Sequence, residues 1–471
     1  MKVKNIIIYI VDCLRPDYLG CYGFDKPTSP NIDQLAKDGV IFKKVYTTGT
    51  GTKPISIPLV TGFHPSCLDS QGPSLAFGGY ENLLQKIVGK KGFKSYVFSN
   101  NPYFTKAFGF TEGFDEEIEL DLLEKLYREN PSNKEIINKI HWQLSAIIPS
   151  QYLHEIFYKR FNPLDKNFVV FWSLDPHSPY CVRGNKSYFG NKLSDYFEGE
   201  DYFLKDNKLA TRIQKFLRLL LFNLFGFYNK KRIEKIKSLY CDAIRYNDER
   251  VGELISYLKE KGEWEDTLFI LFGDHGDAFI EHGEYGHCSA PYNEVVSVPL
   301  IVKFPGQKYA GKEVKDNVSL IDIYPTILEL LEVKGSPQDI DGYSLLDCLE
   351  KRPKKEERKI LIESFYKTDL YTAVLIKGSQ KYFKMEPRGN WSRKAFRKIS
   401  AFPHWFSEKE FDLKKDPKEQ KGSKKVSLQL KNDFAEMKSI YQARQEKYKS
   451  YKKEMVASAK ILERFKNLGY F

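Results

Sequence analysis

The sequence predicts a doubly wound α/β domain with a mainly parallel sheet, and three observations carry that reading. Residues 5–11 and 267–272 are continuous apolar runs, the pattern of strands covered on both faces. Each run stops at chemistry: Asp12 after the first, Gly273-Asp274-His275-Gly276 after the second. Between them, short apolar runs alternate with amphipathic stretches, the rhythm of βαβ units. Ligands of open α/β sheets bind beyond the carboxyl ends of the strands, so two acids and a histidine at two such ends point to a metal site.

The elements follow in order. After the Asp12 turn, Ser29 is the expected N-cap of a helix with Pro30 at its first position. Val40-Ile41-Phe42 reads as a short strand, 47–52 as a polar turn, and 56–61 as the start of a helix. A helix over 81–88 and a strand over 94–98 come next. Residues 168–174 form another buried strand, ending at Asp175-Pro176-His177, and 239–261 a long amphipathic helix that feeds the Asp274 strand. The catalytic unit is expected over 1–350, with an insertion at about 181–235. A small α+β unit with an antiparallel sheet is expected over 351–425, and a Lys-rich, solvated helical tail over 426–471.

The chain has 471 residues, and a hydrophobic fraction of 42% is ample for a core. A net charge of +12 favours anionic partners. No nucleic-acid-binding motif accompanies it, so nucleic acid is not the expected partner. Seven scattered cysteines without a CxxC pair fit free thiols in a reducing compartment. The N-terminal apolar run already carries Asp12 and is a poor signal peptide, so the expected location is cytoplasmic. Within the insertion, 215–232 is apolar with basic flanks. It reads as a helix packed on the domain surface or as an interfacial helix in peripheral contact with the inner membrane face.

The motifs, taken together, resemble the sulfatase family of the alkaline-phosphatase-like superfamily. Asp12-Cys13-Leu14-Arg15-Pro16-Asp17 and Pro30-Asn31-Ile32-Asp33 open the set. Leu59-Val60-Thr61-Gly62, Asp175-Pro176-His177-Ser178-Pro179-Tyr180 and Ile244-Arg245-Tyr246-Asn247-Asp248 continue it. Gly273-Asp274-His275-Gly276, Val298-Pro299-Leu300-Ile301 and Ile321-Asp322-Ile323-Tyr324-Pro325-Thr326 follow in the family's order. Each motif is weak alone, whereas the ordered set over roughly residues 1–425 is specific. The resemblance implies a three-layer α/β/α sandwich with a small C-terminal antiparallel unit.

It also implies roles. Sulfatases carry, at the position of Thr52, a cysteine that becomes formylglycine. Threonine cannot be so converted, and Thr52 resembles instead the threonine nucleophile of phosphodiesterases and phosphoethanolamine transferases in the same superfamily. A divalent metal on its oxygen would activate it. The implied ligands are Asp12, Asp274 and His275, with Thr52 completing the sphere. His177 and His287 match positions that touch the transferred group or the leaving group, and either imidazole can carry the proton. Asn101, Lys53 and His282 are candidate substrate contacts, His282 also a candidate for orienting a ligand or for plain packing. Cys13 stands where the family usually has a second acid. A thiol seldom binds calcium, which leaves Mn2+ or Zn2+ open beside Ca2+.

Three functions follow from this reading. The first is a metal-dependent hydrolase or phosphotransferase acting on phosphate mono- or diesters through Thr52. The second is a sulfuric ester hydrolase on the same fold. The third is a non-catalytic protein that binds an acidic glycan or lipid. The expected substrate in each case is anionic: a small molecule, a glycan or a lipid.

Overall fold

In strand β1 (Asn5–Val11) every residue is buried, and successive side chains enter two different cores. Ile6, Ile8 and Ile10 face one layer, and Ile7, Tyr9 and Val11 the other. This two-sided burial is what a continuous apolar run requires. A computed structural model describes residues 1–68, 75–134, 137, 148–178, 180, 186–192, 230–287, 290–335, 337, 340–353, 357–364, 370–387 and 407–454.

The remaining strands of the large sheet are β2 (Val40–Tyr46), β3 (Phe93–Ser99), β4 (Glu116–Glu117), β5 (Lys166–Ser173), β6 (Thr267–Gly273), β7 (Leu300–Lys303) and β8 (Lys312–Ser319). Their order is β8-β2-β7-β6-β1-β5-β3-β4. Within it, only β7 runs antiparallel to its neighbours. Helices α1 (Pro30–Asp38), α2 (Thr52–Thr61), α3 (Gln151–Arg160), α4 (Lys230–Glu260) and α5 (Ile323–Leu330) cover the sheet. α2 and α5 lie on the Ile6 side; α1, α3 and α4 lie on the Tyr9 side. The result is the three-layer α/β/α sandwich expected.

A second sheet, β9 (Lys359–Glu363), β10 (Leu370–Lys377), β11 (Gln380–Pro387) and β12 (Ser407–Asp412), is antiparallel throughout. It grips the turn before α2. Glu363 N donates to Thr48 O at 3.4 Å, and Gly49 pairs with Glu363. A side chain at Gly49 would place its Cβ 2.4 Å from that of Pro54, so the turn has room only for glycine.

Several expectations change. Ser29 does not cap α1. Its hydroxyl accepts from Gly20 N and donates to Asp33, while Asp248 on α4 accepts from Ile32 N at 2.8 Å and does the capping across space. The expected 81–88 helix runs Leu84–Lys90, and α4 begins nine residues earlier than its apolar stripe, at Lys230. The Lys-rich tail is solvated on one side only. α6 (Leu428–Tyr448) buries Leu430, Phe434, Tyr441 and Tyr448, whose spacing forms one helical stripe. Tyr448 stacks on Phe63 and Tyr441 on His64, each with ring centroids 4.3 Å apart. The chain then pairs Lys452–Glu454 with Leu75–Phe77, which ties this segment to the large unit.

The interfacial-helix reading of 215–232 falls largely outside the described residues, of which 230–232 open α4. Among the described residues, no helix is long and apolar enough to cross a membrane. The five described cysteines are all free thiols.

Candidate active site

Parallel, in-register strands bring the candidate ligands together. Val11 pairs with Gly273 on one side and with Ser173 on the other, while Ser99 pairs with Trp172. The residues just past these strand ends therefore line up along one sheet edge: Asp274, Asp12, Asp175 with His177, and Asn101. Thr52 reaches the same edge from the turn after β2, as the first residue of α2.

Asp12 is fully buried and divides its two oxygens. Oδ2 accepts from Asn101 Nδ2 at 2.7 Å, Trp172 Nε1 at 3.0 Å and Thr52 Oγ1 at 3.4 Å. Oδ1 faces His275 Nε2 at 3.7 Å and accepts from Cys13 Sγ at 3.3 Å. Asp274 is divided in the same way. Its Oδ1 accepts from the backbone N–H groups of Cys13 and His275, whereas its Oδ2 is buried without a hydrogen-bond donor, 3.4 Å from His275 Nε2.

Three imidazoles share one tautomer. Nδ1–H donates to Gly276 O in His275, to Ser178 O in His177 and to Asp277 Oδ1 in His287. Each acceptor is an oxygen, so each Nδ1 carries the proton and each Nε2 is the second functional nitrogen. Burial pulls His275 down to about 4, with His287 adding to the shift, so Nε2 offers a lone pair at neutral pH. Burial also lowers His177, and the opposing pull of Asp12 does not overcome it.

The two carboxyl groups are pushed in opposite directions. Burial and the charge of Asp12 push Asp274 well up. Burial would raise Asp12 too, but His177, His275, His287 and the Trp172 N–H outweigh it and hold Asp12 low. Two buried carboxyl groups compete here, and a bare acceptor oxygen faces a bare imidazole nitrogen. That is an environment a divalent cation would complete, and the O and N donors suit such an ion.

Asp277 is a site residue that the sequence reading missed. Ala278–Phe279 pairs antiparallel with Tyr285–Gly286, and this hairpin sets Asp277 opposite His287. The Tyr180 hydroxyl donates to the other carboxylate oxygen. Burial opposes ionisation of Asp277, but His287 and Tyr180 pull it down to about 2. The signal was present as a second acid three residues after Asp274. Arg15 closes the same wall: it pairs with Asp17 and Glu281 and donates to Asp277 O at 2.8 Å.

Two candidates lie elsewhere. Lys53 follows Thr52 on a helix, and adjacent helical residues project about 100° apart. Its Nζ sits 5.5 Å from the Phe108 ring centroid, and burial alone pulls the ammonium down to about 7. His282 sits at the tip of the hairpin whose base carries His287. It stacks on Tyr292 at 3.8 Å, pairs with Glu294 at 2.6 Å and contacts Glu419 O, so both ring nitrogens are engaged by protein. These are stacking and pairing contacts within the protein. Asn101 is brought to the site, as a donor that orients Asp12.

A family model described as "Sulfatase" matches residues 4–333. The chain belongs to the sulfatase family. A second model, for the C-terminal part of N-sulphoglucosamine sulphohydrolase, matches residues 281–428. An arylsulfatase of Clostridium perfringens is 24% identical over 463 residues, covering 88% of this chain and 89% of the relative. The phosphonate monoester hydrolase of Agrobacterium radiobacter superposes with a TM-score of 0.65 at 19% identity, covering 95% of each chain. A 2-O GAG sulfatase superposes with a TM-score of 0.67 at 17% identity, covering 98% of this chain and 96% of that one. The fold is thus that of the alkaline-phosphatase-like superfamily. Sulfatase-family enzymes are generally dependent on a divalent metal, and the Asp12, Asp274 and His275 cluster suits one.

Proposed function

We propose that this sulfatase-family chain is a hydrolase or transferase of phosphate mono- or diesters with Thr52 as nucleophile. One observation carries the reading. A buried threonine hydroxyl at the N-terminus of α2 lies 3.4 Å from Asp12, on the opposite oxygen from the one facing His275. A divalent cation held by Asp12, Asp274 and His275, with Thr52 completing the set, supplies Lewis-acid chemistry that lowers the hydroxyl pKa and offsets charge on the transferred group.

The chain's own residues do the rest. Asn101 and Trp172 fix Asp12 so that its Oδ2 accepts from the Thr52 hydroxyl. The N-terminus of α2 adds a partial positive charge where the nucleophile becomes anionic. As Oγ1 attacks phosphorus its proton passes to Asp12 Oδ2, the bond to the leaving oxygen breaks, and a phosphoryl group is left on Thr52; Asp12 returns the proton when Thr52 is released. His287, held through Nδ1 by the Asp277 carboxylate, carries a second proton on Nε2 when substrate binds, gives it to the leaving oxygen, and recovers it from the water or alcohol of the second step. Water or an acceptor alcohol then takes the phosphoryl group and restores Thr52.

Sulfate ester hydrolysis is the second reading, supported by the names of the arylsulfatase and GAG sulfatase relatives. Paired assays decide between them. Metal-loaded protein is expected to turn over aryl phosphate diesters, and acid quenching is expected to trap phosphate on Thr52 for detection by peptide mass spectrometry. Turnover of aryl sulfates alone, without phospho-Thr52, selects the second reading.

A further inference from the structure

We propose that Cys13 Sγ is itself a ligand of the cation, making this a mixed oxygen, nitrogen and thiolate site for a thiophilic ion of the Zn2+ class. The proposal rests on the metal-site reading above and adds a ligand and an ion class to it.

The oxygens taken up by donors from outside the cluster can be set aside. Asp12 Oδ2 takes three donors and Asp274 Oδ1 takes two. What faces inward is Asp12 Oδ1, Asp274 Oδ2 and His275 Nε2, and the last two are buried polar atoms without a hydrogen-bond partner. Cys13 Sγ is fully buried and borders this group: it donates to Asp12 Oδ1 at 3.3 Å and lies 3.8 Å from His275 Nδ1 and 3.7 Å from His287 Nδ1. The ligand atoms of Asp12, Cys13 and His275 all lie within 4.8 Å of one another. Around a five-coordinate ion with bonds of 2.0–2.3 Å, adjacent ligand atoms stand about 3–3.5 Å apart. The observed Sγ–Oδ1 and Nε2–Oδ2 separations are 3.3 and 3.4 Å, and Nε2–Oδ1 is 3.7 Å.

The backbone holds the thiol there at a cost. Cys13 has φ of 59°, the left-handed region that non-glycine residues rarely adopt. Its N–H donates to Asp274 Oδ1 at 3.0 Å and its carbonyl accepts from Tyr240 OH at 2.6 Å, so both sides of the residue are pinned. A sulfur ligand favours zinc-like ions over calcium or magnesium, whose ligands are oxygens. Binding converts the thiol to a thiolate and releases its proton to solvent.

The test uses the whole chain, stripped by chelator and titrated with Co2+ and with Zn2+. Wild-type protein with Co2+ is expected to show a thiolate-to-cobalt charge-transfer band in the near ultraviolet. Cys13→Ser is expected to lose the band and to weaken Zn2+ binding by at least about tenfold. Cys13→Asp is expected to lose the band and to shift competition from Zn2+ toward Mn2+. Bound Co2+ without the band in wild type, or unchanged Zn2+ affinity in Cys13→Ser, overturns the proposal. Asp274→Asn separates the two levels: if it keeps full cobalt occupancy, the metal site itself is misassigned. If the Cys13 variants misfold, the NMR resonance of cadmium bound to the wild-type chain decides. A shift in the thiolate range supports sulfur ligation, and one in the oxygen and nitrogen range refutes it.

Discussion

Asp277 Oδ1 accepts from His287 Nδ1 at 2.8 Å, and this contact fixes the orientation of a loop histidine. The two residues are ten apart in the chain and are joined by a short hairpin, so the pairing is local in cause.

Asp277→Asn keeps the shape but makes the preferred tautomer of His287 uncertain and removes the charge beside it. The expected result is a fall in kcat of about 10–100-fold with little change in unfolding midpoint. Steady-state kinetics beside thermal unfolding checks it, and an unchanged kcat would remove Asp277 from the mechanism.

Thr52→Ala is expected to lower turnover at least about a thousandfold while leaving the bound metal largely in place. Activity assays and elemental analysis of the same preparation test this. Turnover close to wild type would refute the nucleophile assignment.

Asp274→Asn removes one of two competing carboxylates and a cation ligand together. Metal affinity is expected to fall by at least about tenfold, with rate falling in parallel. Because a bound ion stabilises the folded state only, chelation should lower the unfolding temperature of wild type and leave that of the variant nearly unchanged. Equal shifts in both proteins would speak against the ligand role.

His154 yields a pH prediction remote from the active site. It is buried between Tyr9 and Phe171, and burial, helped by Arg250, pulls it to about 3. The unfolded chain holds this histidine near its ordinary value of 6.5. Its stabilising contribution is therefore complete above that value and is lost as pH falls from 6.5 toward 3, at about 1.4 kcal/mol per pH unit. Urea unfolding across this range should show a shallower slope in His154→Phe than in wild type.

Phe434→Ala tests whether α6 is part of the fold. Phe434 is buried in the same core as Phe63 and Tyr448. The expected loss is about 3 kcal/mol, read from denaturant unfolding. A change within about 0.5 kcal/mol, as for a surface residue, would mean that the helix is not docked in solution.

The sequence by itself determined the sheet, its strand ends and the principal candidates. Unbroken apolar runs such as 5–11 and 267–272 have no stable place except between two helical layers, and parallel packing sends their carboxyl ends to one edge. Asp12, Asp274, His275, His177 and Thr52 were legible for that reason, together with the family's ordered motifs. Only the tertiary structure decided which neighbours share the site. Asn101 and Trp172 reach Asp12 from other strands, across 89 and 160 residues. Where Lys53 and His282 point was not legible because adjacency in sequence does not set side-chain direction: a helical step turned one toward Phe108, and a hairpin carried the other to the C-terminal unit. The same physics decided α6, whose many lysines mark its wet face while four spaced apolar residues bind the other to the core. Charge and pattern are properties of the chain, but the division of each carboxylate, one oxygen toward backbone or distant side-chain donors and one toward the His275 imidazole, exists only once distant strands are in register.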